Sequence, residues 1–351
     1  MAENSIGVPV PVHDLLPDRR EALTCAYTSG CREDIKELTP DILEILLRDH
    51  TTNRNIFWAT NCYSELGEGY QYNDQISVES ISGNNCGVVI PRAFKTQEQQ
   101  RQRSREMAEV FTPAWICNKQ NNLIDNAWFG REGIFNSEID REDGDHSWTV
   151  NPNPVVFPDG MTWRDYVNED RLEITCGEAP YLVSCYDSVT GMEIPLGERI
   201  GFIDRKLRVV GENTTSSGEW LKGAQAAFQS VYGYDWQGDN VLLARKNLLM
   251  SFIDYYRDRF GKYPQKKSIL YIAYIISWNI WQMDGLKGVI PDSCGERRIV
   301  TADLFGETET ITHCEGCRTG NIFRHNGTYC LIKDWNASKR KRKIRFIDLI
   351  K

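Results

Sequence analysis

Two groups of residues in this chain have the types and spacing that chemistry requires. The first begins in "LEITCGEAPYL" (Leu172 to Leu182), an apolar and acidic run that enters a turn at Cys176 and Gly177. A strand that ends in small residues lets a ligand lie against its backbone, and an acid about one βα unit later can accept ribose hydroxyls. Asp235 in "VYGYDWQGDN" is such an acid, and Asp284 in "NIWQMDGL" follows the next helix and strand. These strand ends predict a site for a nucleoside cofactor. The second group is "CEGCRTGNIFRHNGTYC", where Cys314 and Cys317 form a C-x2-C pair with His325 and Cys330 downstream. Two close thiolates and two further N or S donors can close a tetrahedral zinc site, for which Cys294 is a rival fourth ligand. Reduced thiols in a loop are the alternative.

The elements that must position these residues alternate. "LEIT" reads as a strand, Gly218 to Ser230 as a helix, and Val231 to Trp236 as a strand. Asp239 to Phe260 reads as a long helix, "KSILYIAYIISW" as another, and Asn279 to Leu286 as a short strand. This order predicts an α/β fold with a doubly wound sheet and ligands at the carboxyl ends of its strands. Upstream, residues 1–95 are expected to form a small α+β region containing a helix over Thr39 to His50, a strand or buried segment over Asn55 to Tyr63, and a turn and short strand over Gly83 to Phe94. Residues 96–165 supply a polar linking helix, a Thr-Pro turn into a helix carrying Trp115, Ile116, Leu123 and Ile124, and a loop-rich stretch. Within that stretch "IDREDGD" is read as an exposed acidic loop, with a metal site as the lesser alternative. Residues 166–351 form the main domain, with the possible zinc loop near 294–330.

With 351 residues, 41% of them apolar, the chain can bury a sizeable core. Its longest apolar run is short of a membrane span, and no secretory signal is visible at its start, so the cytoplasm is the expected compartment. Eleven scattered cysteines then read as reduced thiols. The net charge of −8 argues against coating nucleic acid by bulk attraction. Two local runs are basic, Lys95 to Arg105 and Ser338 to Arg345. Each is either a solvated surface or a phosphate contact. No P-loop and no H-E-x-x-H pair is present, and the acidic cluster lacks the spacing of a nuclease metal site. Cys176 has no histidine nearby in sequence to activate it, so it reads as a small packed residue rather than a nucleophile.

Four stretches in order resemble the adenine-N6 DNA methyltransferases. "EVFTPAWICNKQNNLID" is similar to their Phe-Thr-Pro turn and helix, and "LEITCGEAPYL" to their first strand and turn. "YGYDWQGDNVLLARKNLL" looks like their second strand and helix, and "NIWQMDGL" like the third strand. The chain as a whole resembles restriction-modification M subunits. The resemblance implies a Rossmann-like domain that binds S-adenosylmethionine. It also implies that Phe111, Thr112 and Pro113 border the methionine portion. Glu173, Cys176 and Gly177 would line the first turn, Asp235 would take the ribose hydroxyls, and Asp284 the adenine amino group. Double-stranded DNA and a separate restriction or specificity subunit are the implied partners.

The departures carry information too. Ala179 and Pro180 follow where the family has its second glycine, which stiffens the turn. The interval from Gly177 to Asp235 is about twice the usual βαβ spacing and contains "GMEIPLGERIGFIDRKLRVV", read as an inserted hairpin or loop. The family's Asn/Asp-Pro-Pro-aromatic catalytic loop, which receives a flipped base, has no Pro-Pro counterpart here. By position its nearest equivalent is "YCLIKDWN", with Asp334 as polar acceptor and Trp335 as stacking ring; a surface Asp and a packed Trp are the alternative. With the chain ending at Lys351, base reading is expected to come from the first 90 residues or another subunit. Two functions follow: methyl transfer to adenine N6, or a catalytically reduced subunit that binds DNA or a partner.

Overall fold

Thr39 and Pro40 open the first helix, α1 (Pro40–Leu47), where a proline in the first turn gives up an N–H that has no helical partner in any case. Its face of Ile42, Leu43, Leu46 and Leu47 is buried. The computed structural model describes residues 38–140, 146–303, 306–338 and 342–350. Strands β1 (Arg48–Asp49) and β2 (Arg54–Asn55) form a small hairpin. Helix α2 (Val78–Ile81) follows, then the polar helix α3 (Gln97–Met107), closed at its N-terminus by a Thr96–Gln99 capping box. The Thr-Pro turn leads into α4 (Ala114–Phe129), and the β3 (Asn136–Asp140)–β4 (His146–Val150) hairpin follows.

Next come α5 (Trp163–Asn168), β5 (Arg171–Glu173), α6 (Phe202–Asn213) and α7 (Ser217–Gln229). After these the chain runs through β6 (Val231–Asp235), α8 (Gly238–Phe260), α9 (Lys266–Asn279) and β7 (Ile280–Gln282). The C-terminal part holds the β8 (Arg297–Asp303)–β9 (Gly306–Thr312) hairpin, the short helix α10 (Glu315–Thr319) and the β10 (Leu331–Lys333)–β11 (Lys343–Arg345) hairpin.

The chain is thus mixed α/β around a parallel three-stranded sheet in the order β5-β6-β7, with Glu173 opposite Gly233 and Asp235 opposite Gln282. Its two faces are covered differently. One packs Val231 and Ile280 into the main apolar cluster with α1, α6, α7, α8 and α9. The other packs Tyr234 and Trp281 against Cys330, Ile332 and Phe346 of the C-terminal hairpin region. Among the described residues, helices therefore flank one face and a β-hairpin the other. The doubly wound expectation is met only in its parallel strands and crossovers. Because α1 shares the main cluster, the expected division near residue 95 is not marked by a break in the core.

Three local readings change. The segment read as an inserted hairpin or loop contains α6, whose Asp204, Arg205 and Lys206 are buried and so disguise its helical face. Helix α4 is turned over: Asn118, Asn121, Asn122 and Asp125 face inward while Leu123 stands 65% exposed. Arg205 donates to Asp125 Oδ2 at 2.6 Å, to Asn118 Oδ1 at 2.9 Å and to Asn122 Oδ1 at 2.8 Å, while Asn121 Nδ2 donates to Tyr181 O at 3.0 Å and Ile200 O at 3.1 Å. Buried polar groups are tolerated when so paired. The strand expected within Gly83 to Phe94 is replaced by two 3-10 turns, Gly83–Asn85 and Arg92–Phe94. Arg141 to Asp145 of the acidic cluster and Lys339 to Lys341 of the basic run lie outside the described residues.

Candidate functional site

At the carboxyl end of the sheet three sequence motifs meet. The turn after β5 carries positive φ at Thr175 (45°), Gly177 (54°) and Ala179 (64°). Ala179 therefore occupies the left-handed region that the missing glycine would have filled at less strain. The Gly177 N–H donates to Asp235 Oδ2 at 2.9 Å, tying this turn to the end of β6. A side-chain carbon added to Gly177 would come within 3.2 Å of the Phe111 ring, so Phe111 lies against the turn.

The Phe-Thr-Pro turn is anchored on both sides. Ser188 Oγ donates to Thr112 O at 2.8 Å, and Asp187 Oδ2 accepts the Ala114 N–H at 2.6 Å, just after Pro113. On the upstream side, buried Glu109 pairs with Arg103 of α3 at 2.6 Å, and the same guanidinium reaches Asp239 at 2.9 Å in the first turn of α8. Arg103 and Lys95, parts of a run read as a solvated face or phosphate contact, are turned inward; Lys95 Nζ donates to Ile90 O at 2.7 Å.

The acids differ in their surroundings. Glu173 accepts N–H bonds from Tyr181 at 3.4 Å and Leu182 at 3.2 Å, yet its burial pushes the carboxyl up to about 8. Burial likewise raises Asp235 to about 6, against the pull of N–H donors from Gln237 and Gly177. Asp235 is only 7% exposed, and Oδ1 accepts from Gln237 N at 2.9 Å and Asn240 Nδ2 at 3.4 Å. Among the described residues Oδ2 accepts the Gly177 N–H alone, which leaves one of its acceptor positions unfilled there. Asp284 Oδ1 accepts the Leu286 and Lys287 N–H groups, and Oδ2 pairs with Lys287 Nζ at 3.1 Å. Cys176 is buried, and burial pushes its thiol up, as suits a packed neutral residue rather than a nucleophile.

Aromatic residues not singled out from the sequence adjoin this end. Trp236, next to Asp235, donates to Tyr72 Oη at 3.2 Å, and Tyr72 donates to Asp292 Oδ2 at 2.6 Å. Burial, then Asp292, raises the Tyr72 phenol to about 12. Phe57 lies 6.4 Å from the Tyr72 ring. The only signal for them was the aromatic density around Phe57, because Tyr72 and Asp292 are brought together from distant parts of the chain.

Asp334 and Trp335 lie elsewhere. Cys330, just before β10, donates to Gln282 O at the carboxyl end of β7, whereas Tyr232 Oη at the start of β6 donates to Lys333 O. Strand β10 therefore runs against the parallel strands and delivers Asp334 and Trp335 to their amino end. Asp334 Oδ1 accepts the Asn336 and Ala337 N–H groups within a turn, and Trp335 Nε1 donates to Asn279 Oδ1 at 2.8 Å. The two residues expected to be catalytic thus sit at the opposite end of the sheet from Gly177 and Asp235.

A group that could hold a metal ion is formed by Cys294, Cys314, Cys317 and His325, whose ligand atoms all lie within 4.8 Å of one another. Cys294 Sγ is 3.2 Å from Cys314 Sγ, 3.5 Å from Cys317 Sγ and 3.3 Å from His325 Nδ1. Ligands about 2.0–2.3 Å from a tetrahedral ion stand roughly 3.5–3.8 Å apart, so little adjustment is needed to hold one. Cys330 leaves the expected set: it is fully buried with Tyr234 and Trp281, and Cys294 takes its place. The surround is fitted to the group. Asn326 N donates to Cys314 Sγ at 3.3 Å, and a side chain at Gly316 would meet the His325 ring at 2.7 Å.

No helix among the described residues is long and apolar enough to cross a membrane. Compared with known proteins, the chain matches no family model, no curated protein and no solved structure.

Proposed function

We propose that this chain is a methyltransferase-like protein with a Rossmann-like core. It binds S-adenosylmethionine at the carboxyl end of β5 and β6 and acts on adenine N6 in double-stranded DNA as part of a restriction-modification system. One observation carries the reading. The Gly177 N–H to Asp235 Oδ2 bond, with the Phe111 ring against Gly177, joins the three stretches that such an enzyme would use around its cofactor. The unfilled acceptor position on Asp235 Oδ2 and the half-buried Trp236 ring beside it suit the ribose and base of a nucleoside. Phe111, Thr112 and Pro113 would border the methionine end, Glu173 and Cys176 would support the turn, and Asp284 would face the adenine. The cofactor would supply an electrophilic methyl group; the protein would hold the target amino group in line by hydrogen bonds and exclude water. The metal at Cys294, Cys314, Cys317 and His325 is proposed to be zinc in a closed, structural role.

The position of Asp334 and Trp335 favours a second reading, a catalytically reduced subunit that binds DNA or a partner. Calorimetric titration with S-adenosylmethionine, with Asp235→Asn as control, separates the two. Saturable binding weakened by the substitution, followed by methyl transfer to duplex DNA, supports the enzyme. No binding at millimolar ligand leaves the second reading.

A further inference from the structure

Lys333 and Lys343 are direct cross-strand partners in the β10–β11 hairpin. Like charges placed directly opposite one another destabilise an antiparallel pair unless something neutralises them. Among the described residues no carboxylate lies within ion-pair distance of either lysine or of the exposed Arg48. Lys333 Nζ instead donates to Tyr274 Oη at 2.8 Å and lies 4.1 Å from the Trp335 ring centroid. Lys343 Nζ lies 5.2 Å from the Trp278 ring. His50 stacks on Trp278 at 4.0 Å, and burial, then Arg245, Arg48, Lys343 and Lys333, holds its imidazole down at about 3. A positive field therefore converges here from three separate segments of a chain whose net charge is −8.

Aromatic rings line the same place. Lys267, Tyr271, Tyr274 and Trp278 recur at helical spacing along one face of α9. Tyr271 is 40% exposed, and its ring lies 6.4 Å from that of Tyr274 at 24°. Of the carboxylates nearby, Asp334 Oδ1 caps a turn through the Asn336 N–H and Asp41 pairs with Lys266. Cations beside an exposed ring such as Tyr271 are what a single strand of nucleic acid requires, the cations for phosphates and the ring for an unpaired base.

We propose that this face, at the amino end of the sheet, binds single-stranded nucleic acid, with Lys333, Lys343 and Arg48 on phosphates and Tyr271 under an unpaired base. The proposal shares with the methyltransferase reading only the premise that the protein meets nucleic acid, and it lies at the other end of the sheet from Asp235.

Fluorescence anisotropy with a labelled oligothymidine and a duplex of equal length tests it across a salt series. Lys343→Glu with Arg48→Glu is expected to weaken single-strand binding by about tenfold and to flatten its salt dependence. Tyr271→Ala should weaken single-strand binding by about tenfold while sparing the duplex. Thermal unfolding of each variant checks that the fold is intact, and Lys343→Gln gives the milder charge loss if Lys343→Glu unfolds. Absence of saturable single-strand binding by the wild-type chain would overturn the proposal. So would wild-type affinity in the charge variants, or displacement by polyglutamate as readily as by an oligonucleotide of equal charge. S-adenosylmethionine titration of the same samples keeps the readings apart. Single-strand binding without cofactor binding removes the methyltransferase reading alone, and the reverse result removes this one.

Discussion

Glu173 and Asp235 end neighbouring parallel strands, and the Asp235 charge raises the cost of ionising Glu173, on top of the larger effect of burial. An unfolded chain titrates Glu173 near 4.5, whereas the folded carboxyl titrates at about 8. Between those values the folded protein binds the extra proton, so its stability falls as pH rises from about 4.5 and this contribution is lost by about pH 8. Asp235 adds the same trend between 3.8 and about 6. Glu173→Gln is expected to flatten the fall in urea midpoint across this window. An unchanged pH profile in the variant would refute the assignment.

The ligand set predicts how metal follows mutation. The purified protein is expected to hold one zinc per chain, to release it to a strong chelator, and to unfold at lower temperature once stripped. Cys294→Ser should lose the metal, whereas Cys330→Ser should retain it and lose stability by core disruption. Elemental analysis distinguishes these outcomes directly, and metal loss from Cys330→Ser would restore the ligand set expected from the sequence.

Ala179 combines full burial with φ of 64°. Glycine there relieves backbone strain but leaves a small void, so Ala179→Gly is expected to change stability by no more than about 1 kcal/mol. Ala179→Val adds a branched side chain in the left-handed region of a packed site and should destabilise by about 2–3 kcal/mol. Equal denaturation midpoints for the two variants would argue against this turn geometry.

Asp334→Ala tests the position of the hairpin. Its carboxylate holds the Asn336 and Ala337 N–H groups, so its removal should cost about 1 kcal/mol. Cofactor affinity and any methyl transfer should be untouched, and a large loss of transfer at unchanged stability would return Asp334 to the catalytic list.

Much of the scaffold was legible because its patterns are local. The runs around Val231, Leu242 and Ile272 are long, apolar and bounded by turn residues, and they became β6, α8 and α9 close to the expected limits. The link between Gly177 and Asp235 was also legible, since the order of strand, turn and acid implies it. The reversal of β10 was not, because a three-residue strand carries no directional signal and its orientation is set by where Cys330 and Ile332 pack. Nor could spacing choose Cys294 over Cys330, because the intervening β8–β9 hairpin folds Cys294 back beside Cys314. Helix α4 was misread for a related reason: the partner of its polar face, Arg205, is 80 residues away from Asp125.

That reversed helix has a consequence for how the molecule opens. Arg205 of α6 completes a buried network on α4, in which Asn118 and Asn122 also donate to Asn136 and Asp125 also accepts from Tyr166 Oη. Separating the two helices would part the buried Arg205 guanidinium from the Asp125 carboxylate, so partial undocking is unfavourable. Helices α4 and α6 therefore form one cooperative unit, whose amides should exchange with solvent in a single concerted event although most of the chain between them is loop.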